Sequence, residues 1–383
     1  MTPGSALTSR SNEPLALARR IAAFGLPGHD GEAPPIRVPA ESSDGLRACL
    51  HAQRLTGIAT AGVEAGWLRL SEKHETEELL RSHRQAMLWA LALERQLLVL
   101  ASAFDETAIE TVVLKGTATA HAFYPDPSWR SFADLDLLVR TRDWRRACAL
   151  LTELGFRREL PEPRPGFDER FGKAATHVGR DGVRVDLHRT LVIGPFGLWL
   201  DPDDLFERTV RFGLGGRSLL RLDDTSSLLH ACMHASLGSR PPLLVPLRDV
   251  LQIAWRGDVD WEALAELVRR WKLRAVIRHA FGEASAQLQA GLPEVAGRLI
   301  EMEPDARERR ALEAYTTTRR RRGGTALSAI QAIPGLRGKI SYVRALLVPD
   351  PEFLDVREDG RAHHYLHRWA IPIRWLGGKG RRA

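Results

Sequence analysis

The chain has 383 residues, 44% of them apolar and 27% charged, enough to bury a sizeable core in about two domains. No apolar stretch approaches the roughly 20 residues that cross a bilayer, and residues 1–28 hold no basic segment leading into an apolar core. A cytoplasmic protein without a transmembrane segment is expected. Three scattered cysteines, Cys49, Cys148 and Cys232, argue against a disulfide framework and against a cysteine-rich zinc site. The formal charge of +7 is a C-terminal property: residues 319–383 carry 14 Lys/Arg against 5 Asp/Glu, and the other 318 residues carry 41 against 43. The basic runs at 319–324 and 377–382 read as a solvated linker and tail, with contact to phosphate backbones or an anionic membrane as the sharper alternative.

Residues 1–39 are rich in Pro, Gly, Ser and Ala and read as a weakly ordered lead-in with a short helix around Leu15 to Phe24. From Glu72 to about Phe104, Leu79, Leu80, Met87, Leu91, Leu97, Leu98 and Ala101 recur at helical spacing and predict one long amphipathic helix. The run Thr111 to Leu114 predicts a strand, ended by Gly116 before a helix from Thr117 to Phe123 and a turn at Pro125-Asp126-Pro127. A second strand, Asp134 to Val139, precedes a helix that Thr141 caps and Gly155 closes. Pro161 to Gly166 is a loop, and His177 to Asp186 reads as a hairpin turning at Arg180-Asp181. Beyond the glycines at 213–216 the pattern turns helical: Thr225 to Leu237, Leu247 to Trp255, Trp261 to Trp271, Ala275 to Gln289 and Pro304 to Thr317.

The chemistry concentrates in the two strands. Side chains alternate along a strand, so Asp134 and Asp136 share a face, and like charges that close are costly unless a cation holds them. The downstream strand Val183 to His188 brings a third carboxylate, Asp186, with His188 on its face as a supporting group or proton acceptor. Three acids suit hard divalent ions, Mg²⁺ or Mn²⁺, and two such ions about 3.5–4 Å apart serve phosphoryl and nucleotidyl transfer. The Gly116 turn allows close backbone approach to a triphosphate, and Lys115 and Arg130 are candidate phosphate contacts.

Other groups carry blander readings. His230 and His234 lie four residues apart on one helix, but no glutamate follows His230 and no third zinc ligand is evident, so helix packing is expected, with His234 and Asp249 bonding between helices or closing over a nucleotide. The glycines at 213–216 and 335–338 fail the Walker spacing and read as turns. Tyr124 and Trp129 read as core before base-stacking platforms, and Trp369, Ile371, Ile373 and Trp375 as the packed face of a last helix.

The order of these elements resembles the polymerase-β-like nucleotidyltransferases, in which a glycine turn precedes an acid-apolar-acid-apolar strand and a third acid. Here Leu114, Gly116 and Thr117, then Asp134-Leu135-Asp136-Leu137, then Asp186 take those places; Thr117 departs from the usual Gly or Ser, with its hydroxyl able to substitute for that of serine. The likeness is nearer still to the bacterial family described as uncharacterised nucleotidyltransferases. Leu114-Lys115-Gly116, Tyr124, Arg130 and Asp134 to Val139 match its ordered motifs, and Leu228 to Ala235, Leu247 to Val250, Asp260-Trp261 and Tyr342 to Pro349 resemble its later segments. The resemblance spans roughly Leu79 to Phe353.

It implies an α/β (α+β) nucleotidyltransferase domain with a small mixed sheet, followed by an all-helical domain. The expected division is a lead-in at 1–70, the nucleotidyltransferase domain at 71–214, the helical domain at 215–318 and a basic C-terminal helical segment and tail at 319–383. The implied reaction moves a nucleoside monophosphate from a nucleoside triphosphate such as ATP to an acceptor hydroxyl or phosphate with release of pyrophosphate. Asp134, Asp136 and Asp186 would be the metal ligands, and Lys115, Gly116, Thr117, Arg130 and His188 would surround the nucleotide. A small molecule, sugar, peptide or protein side chain is the expected acceptor. The rivals are a catalytically silent nucleotide-binding or antitoxin-like protein, and RNA modification drawing on the basic C-terminus.

Overall fold

A computed structural model describes residues 4–27, 34–238, 243–316 and 324–357. The runs at 319–322 and 377–382, Pro241-Pro242, the histidines at 363, 364 and 367, and the aromatic and apolar residues at 369–375 lie outside the described residues.

Among the described residues, nine strands form two sheets. β1 (Ile36–Val38) and β2 (Leu68–Leu70) make a parallel pair. The other seven are β3 (Thr111–Val113), β4 (Leu135–Val139), β5 (Arg157–Arg158), β6 (Ala174–Val178), β7 (Arg184–His188), β8 (Thr209–Leu214) and β9 (Arg217–Leu222). They build one mixed sheet in the order β5-β6-β7-β4-β3-β9-β8. β3 runs antiparallel to β4, and β4 runs parallel to β7.

Alternation along these strands divides the sheet into two unlike faces. Val113, Leu135, Leu137, Val139, Val185 and Leu187 point into one apolar cluster, closed by the Lys73–Glu106 and Trp144–Glu153 helices through Leu93, Leu97, Phe104, Ala147 and Leu151. Val112, Leu114 and Leu138 point the other way, into a larger cluster with the helices Asp224–Leu237, Leu244–Arg256 and Arg274–Leu288. Both faces are therefore covered, which is why every residue of β4 is buried, Asp136 included.

The expected lead-in proves to be part of that larger cluster. Ala18, Ile21, Leu26, Ile36, Val38, Leu46, Leu50, Leu55 and Ile58 are all buried in it. Arg248 of the helical half reaches back to the carbonyls of Ala22 at 2.7 Å and Phe24 at 2.5 Å. Behind it stand two short helices, Ala40–Ala52 and Thr56–Glu64, the second buried along Thr56 to Gly62 through its small residues. The expected boundary near Leu214 falls inside the β8–β9 hairpin. Gly215 (φ 53°) and Gly216 (φ 79°) form its two-residue turn, where glycine supplies two successive left-handed conformations. β9 then pairs with β3, so the sheet continues to Leu222 before the helical half begins.

Thr141 does not cap the following helix: a 3₁₀ turn, Thr141–Asp143, comes first, and Trp144–Glu153 starts behind it. The long helix runs Lys73–Glu106 as its periodicity predicts. It also holds an 18-residue window of mean hydropathy 1.4, so by length and composition it is apolar enough to cross a membrane. Its Leu93, Leu97, Leu100 and Phe104 are engaged by the sheet, as in a core helix. At the C-terminus, Ile333 and Tyr342 pack on Phe171 in a small separate cluster.

Candidate active site

Parallel pairing of β4 with β7 sets Asp136 opposite Asp186 and Leu138 opposite His188. Because both strands present the same phase, the two carboxylates and the imidazole stand side by side on the face toward the helical half. One ligand atom from each of Asp136, Asp186 and His188 lies within 4.8 Å of the others. Asp136 Oδ2 receives Lys115 Nζ at 2.5 Å, and Asp136 Oδ1 lies 2.9 Å from His188 Nε2. On the next strand Thr176 Oγ1 donates to Asp186 Oδ1 at 2.6 Å. Asp134 is half-buried one residue before β4, so the strand expected to begin there begins at Leu135.

The electrostatics follow from burial and pairing. Burial alone would raise the Asp136 carboxyl, but Lys115 and His188 outweigh it and hold it well below the usual carboxylate range. Burial opposes charge on Lys115 too, and Asp136, Asp134 and Asp186 together raise its pKa above the ordinary value. His188 has no exposed surface, and burial is the main reason its pKa is lowered. Its Nε2 lies 2.9 Å from Asp136 Oδ1 and its Nδ1 3.3 Å from the Thr190 carbonyl oxygen, so the ring is held between two acceptors. A buried imidazole with that bond orients Asp136.

Gly116 sits at φ 68° between β3 and the Thr117–Phe123 helix, a conformation that glycine adopts without strain. Thr117 is buried, its hydroxyl has no hydrogen-bond partner among the described residues, and it lines neither of the cavities beside Lys115. The expected phosphate contact through that hydroxyl is not what the fold presents. Arg130 is also redirected. Its Nε and Nη2 fork onto Asp249 at 2.8 and 2.7 Å, and Nη1 reaches the Gly116 carbonyl at 3.3 Å. Tyr124 donates to the same carboxylate at 2.8 Å. Arg130, expected at a phosphate, is thus a buried bridge from the glycine turn to the helical half. Asp249 bonds these two residues and not His234.

Two cavities flank Lys115. One, of about 20 Å³, is lined by Lys115, Thr119, Arg221, His230, His234 and Asp249. The other, of about 120 Å³, is lined by Arg54, Lys115, Gly116, Phe132, Asp134 and His234, among others. The two histidines therefore face the site, and burial holds both neutral, well below the ordinary histidine value. Sequence reasoning missed Lys173. This largely buried lysine precedes β6, and its pKa is lowered by burial and then by Lys115, while Asp136, Asp186 and Asp134 act in the opposite sense. No local signal marked it, because β6 brings it to the acids only through its pairing with β7.

Aligned carboxylates beside a lysine and a glycine turn, on a small mixed sheet roofed by helices, define a nucleotidyltransferase. The family model described as "Uncharacterised nucleotidyltransferase" matches residues 39–288, and the chain belongs to that family. It is similar, at 12% identity, to the lincomycin-bound lincosamide antibiotic adenylyltransferase LnuA over 42% of this chain and 94% of that one, with a TM-score of 0.30. It is also similar, at 18% identity, to an antigenic nucleotidyltransferase-like protein from Paracoccidioides brasiliensis over 53% of this chain and 95% of that one, with a TM-score of 0.33. No curated protein matches the chain.

Proposed function

We propose that this nucleotidyltransferase moves a nucleoside monophosphate from a nucleoside triphosphate to an acceptor hydroxyl or phosphate on a small molecule or peptide. The observation that carries the reading is the register of β4 on β7, which aligns Asp136 with Asp186 beside Lys115. Donor chemistry fits hard divalent ions, Mg²⁺ or Mn²⁺: Asp136, Asp186 and His188 converge within 4.8 Å, and Asp134 lies close enough to act on Lys115. Asp134, Asp136 and Asp186 would hold the ions, which when bound neutralise charge at the transferring phosphorus.

The chain's own groups then have distinct tasks. His188 fixes the rotamer of Asp136, and Thr176 fixes that of Asp186. Lys115 supplies positive charge toward the triphosphate, and Arg130 holds the glycine turn against the helical half. An acceptor oxygen forms a bond to the α-phosphorus as the bond from that phosphorus to the α,β-bridging oxygen breaks. Pyrophosphate leaves, and the acceptor proton passes to Asp186 and on to solvent.

The test is calorimetric titration of each of the four nucleoside triphosphates with Mg²⁺ into wild type, Asp136→Asn and Asp186→Asn, with pyrophosphate release followed in the same samples. Release with a screened panel of amine-, hydroxyl- and phosphate-bearing acceptors should fall at least about a hundredfold in both variants. A folded wild type that binds no nucleoside triphosphate would sink the proposal and leave a silent member of the family.

A further inference from the structure

We infer that Arg54, from the segment preceding the sheet, binds the β,γ-phosphate end of the nucleoside triphosphate; the inference rests on the nucleotidyl-transfer reading above. Arg54 lines the 120 Å³ cavity with Lys115, Gly116 and Asp134. The other two cations of that cavity are committed, Lys115 to Asp136 and Arg130 to Asp249. Among the described residues, Arg54 is the cation there with no carboxylate partner. An arginine fork suits the oxygens of a phosphate and donates to two of them at once.

The corner that carries Arg54 is fixed from both sides. Its neighbour Gln53 accepts the Leu244 N–H at 2.8 Å through Oε1, docking the corner on the start of the Leu244–Arg256 helix. Three residues on, a Cβ at Gly57 would stand 2.2 Å from the Ser128 carbonyl oxygen, so this helix start is pressed against the segment leading into Arg130 and the acid strand. Arg54 is thus held in register with both walls of the cleft.

The side of the site decides which part of the substrate it meets. Asp186 lies on β7, across Asp136 from β3, and the Arg54 cavity is lined from the β3 and β4 ends with no residue of β7. Entering and leaving oxygens lie on opposite sides of the phosphorus in an in-line displacement. With the acceptor near Asp186, the leaving pyrophosphate points toward Arg54.

The backbone offers a clean test. Arg54 has φ 58° at the end of the Ala40–Ala52 helix, with Leu55 N–H on the Leu50 carbonyl at 2.8 Å and Arg54 N–H on the His51 carbonyl at 3.0 Å. That pattern normally takes glycine. Ala108 and Lys272 hold equivalent conformations, so the strain does not mark function, but it makes Arg54→Gly benign for folding. Calorimetry with inorganic pyrophosphate and with ATP, each in Mg²⁺, should show about tenfold weaker binding of both to Arg54→Gly at an unchanged or higher melting temperature. Arg54→Lys should recover part of the loss. Pyrophosphate affinity equal to wild type in Arg54→Gly overturns the assignment while leaving nucleotidyl transfer standing. A wild type that binds neither probe overturns both, and should Arg54→Gly fail to fold, Arg54→Ala answers the same question.

Discussion

The two faces of the sheet are built by different rules. The face toward the Lys73–Glu106 helix is mainly apolar, with His177 as a buried polar group, and is closed by helices adjacent in sequence to its strands. The face toward the helical half carries Asp136, Asp186 and His188 and is roofed by segments from residues 18 to 26 and 224 to 288. The first needs only volume and hydrophobicity. The second buries charges, so each must find a partner, and the partners come from far along the chain: Arg130 with Asp249, Arg248 with the carbonyls of Ala22 and Phe24. Local closure makes a platform, and long-range closure makes a site.

The largest expected effect breaks the charged roof. Asp249→Ala strands the buried Arg130 guanidinium and the Tyr124 hydroxyl and should cost about 3–5 kcal/mol by denaturant unfolding. Joint replacement by Arg130→Met and Asp249→Leu should recover much of that, because no uncompensated charge remains. On the apolar face Leu137→Ala should cost about 2–5 kcal/mol, with no partner substitution able to offset it. Equal behaviour of the two faces in the double variant would remove the distinction.

Acid separates the faces next. His177 of β6 pairs with Val185 of β7, and burial pushes the His177 pKa down to about 4 from an ordinary 6.5. The unfolded chain takes up that proton below pH 6.5 and the folded chain does not, so stability falls as pH drops from 6.5 to about 4, by up to about 3 kcal/mol. Asp136 is depressed below its usual 3.8, so its contribution is complete above that value and is lost only as pH falls further, through the folded-state pKa. Thermal melts against pH should show His177→Leu making the limb above pH 4 shallower, the rest of that limb coming from His188, His230 and His234, whose pKa values burial also lowers, and Asp136→Asn flattening the limb below it. A single limb removed by either substitution would contradict the assignment. The smallest effect is Leu91→Gln on the outer side of the long helix, where Leu91 is 56% exposed and should change stability by less than about 0.5 kcal/mol. A larger loss would mean that this side is covered in solution.

Much of the platform was legible in the residues. The long helix, the Thr117–Phe123 helix, the hairpin β6–β7 and the acid strand all follow from local period and turn chemistry. Asp136, Asp186, Lys115 and His188 come together as their spacing suggested. Arg130 bonds Asp249 and Thr117 lines neither cavity beside Lys115, partners and placement that the motif alone did not reveal, since both depend on what lies across the cleft. Lys173, Arg54 and the packing of residues 13–27 and 34–70 left no local mark either. β9 was hidden because a Gly-Gly turn reads equally well as a break between domains.

The sequence by itself determined the strand phase, and with it that Asp136 and Asp186 would point to one side, because alternation is a property of the backbone. Only the tertiary structure decided the β4–β7 register, the choice of Asp249 for Arg130 and the delivery of Arg54 to the cavity. Those depend on contacts between residues about fifty positions apart for the register, 119 for Arg130 with Asp249, and about sixty or more for Arg54 with the cavity, where no local periodicity carries information.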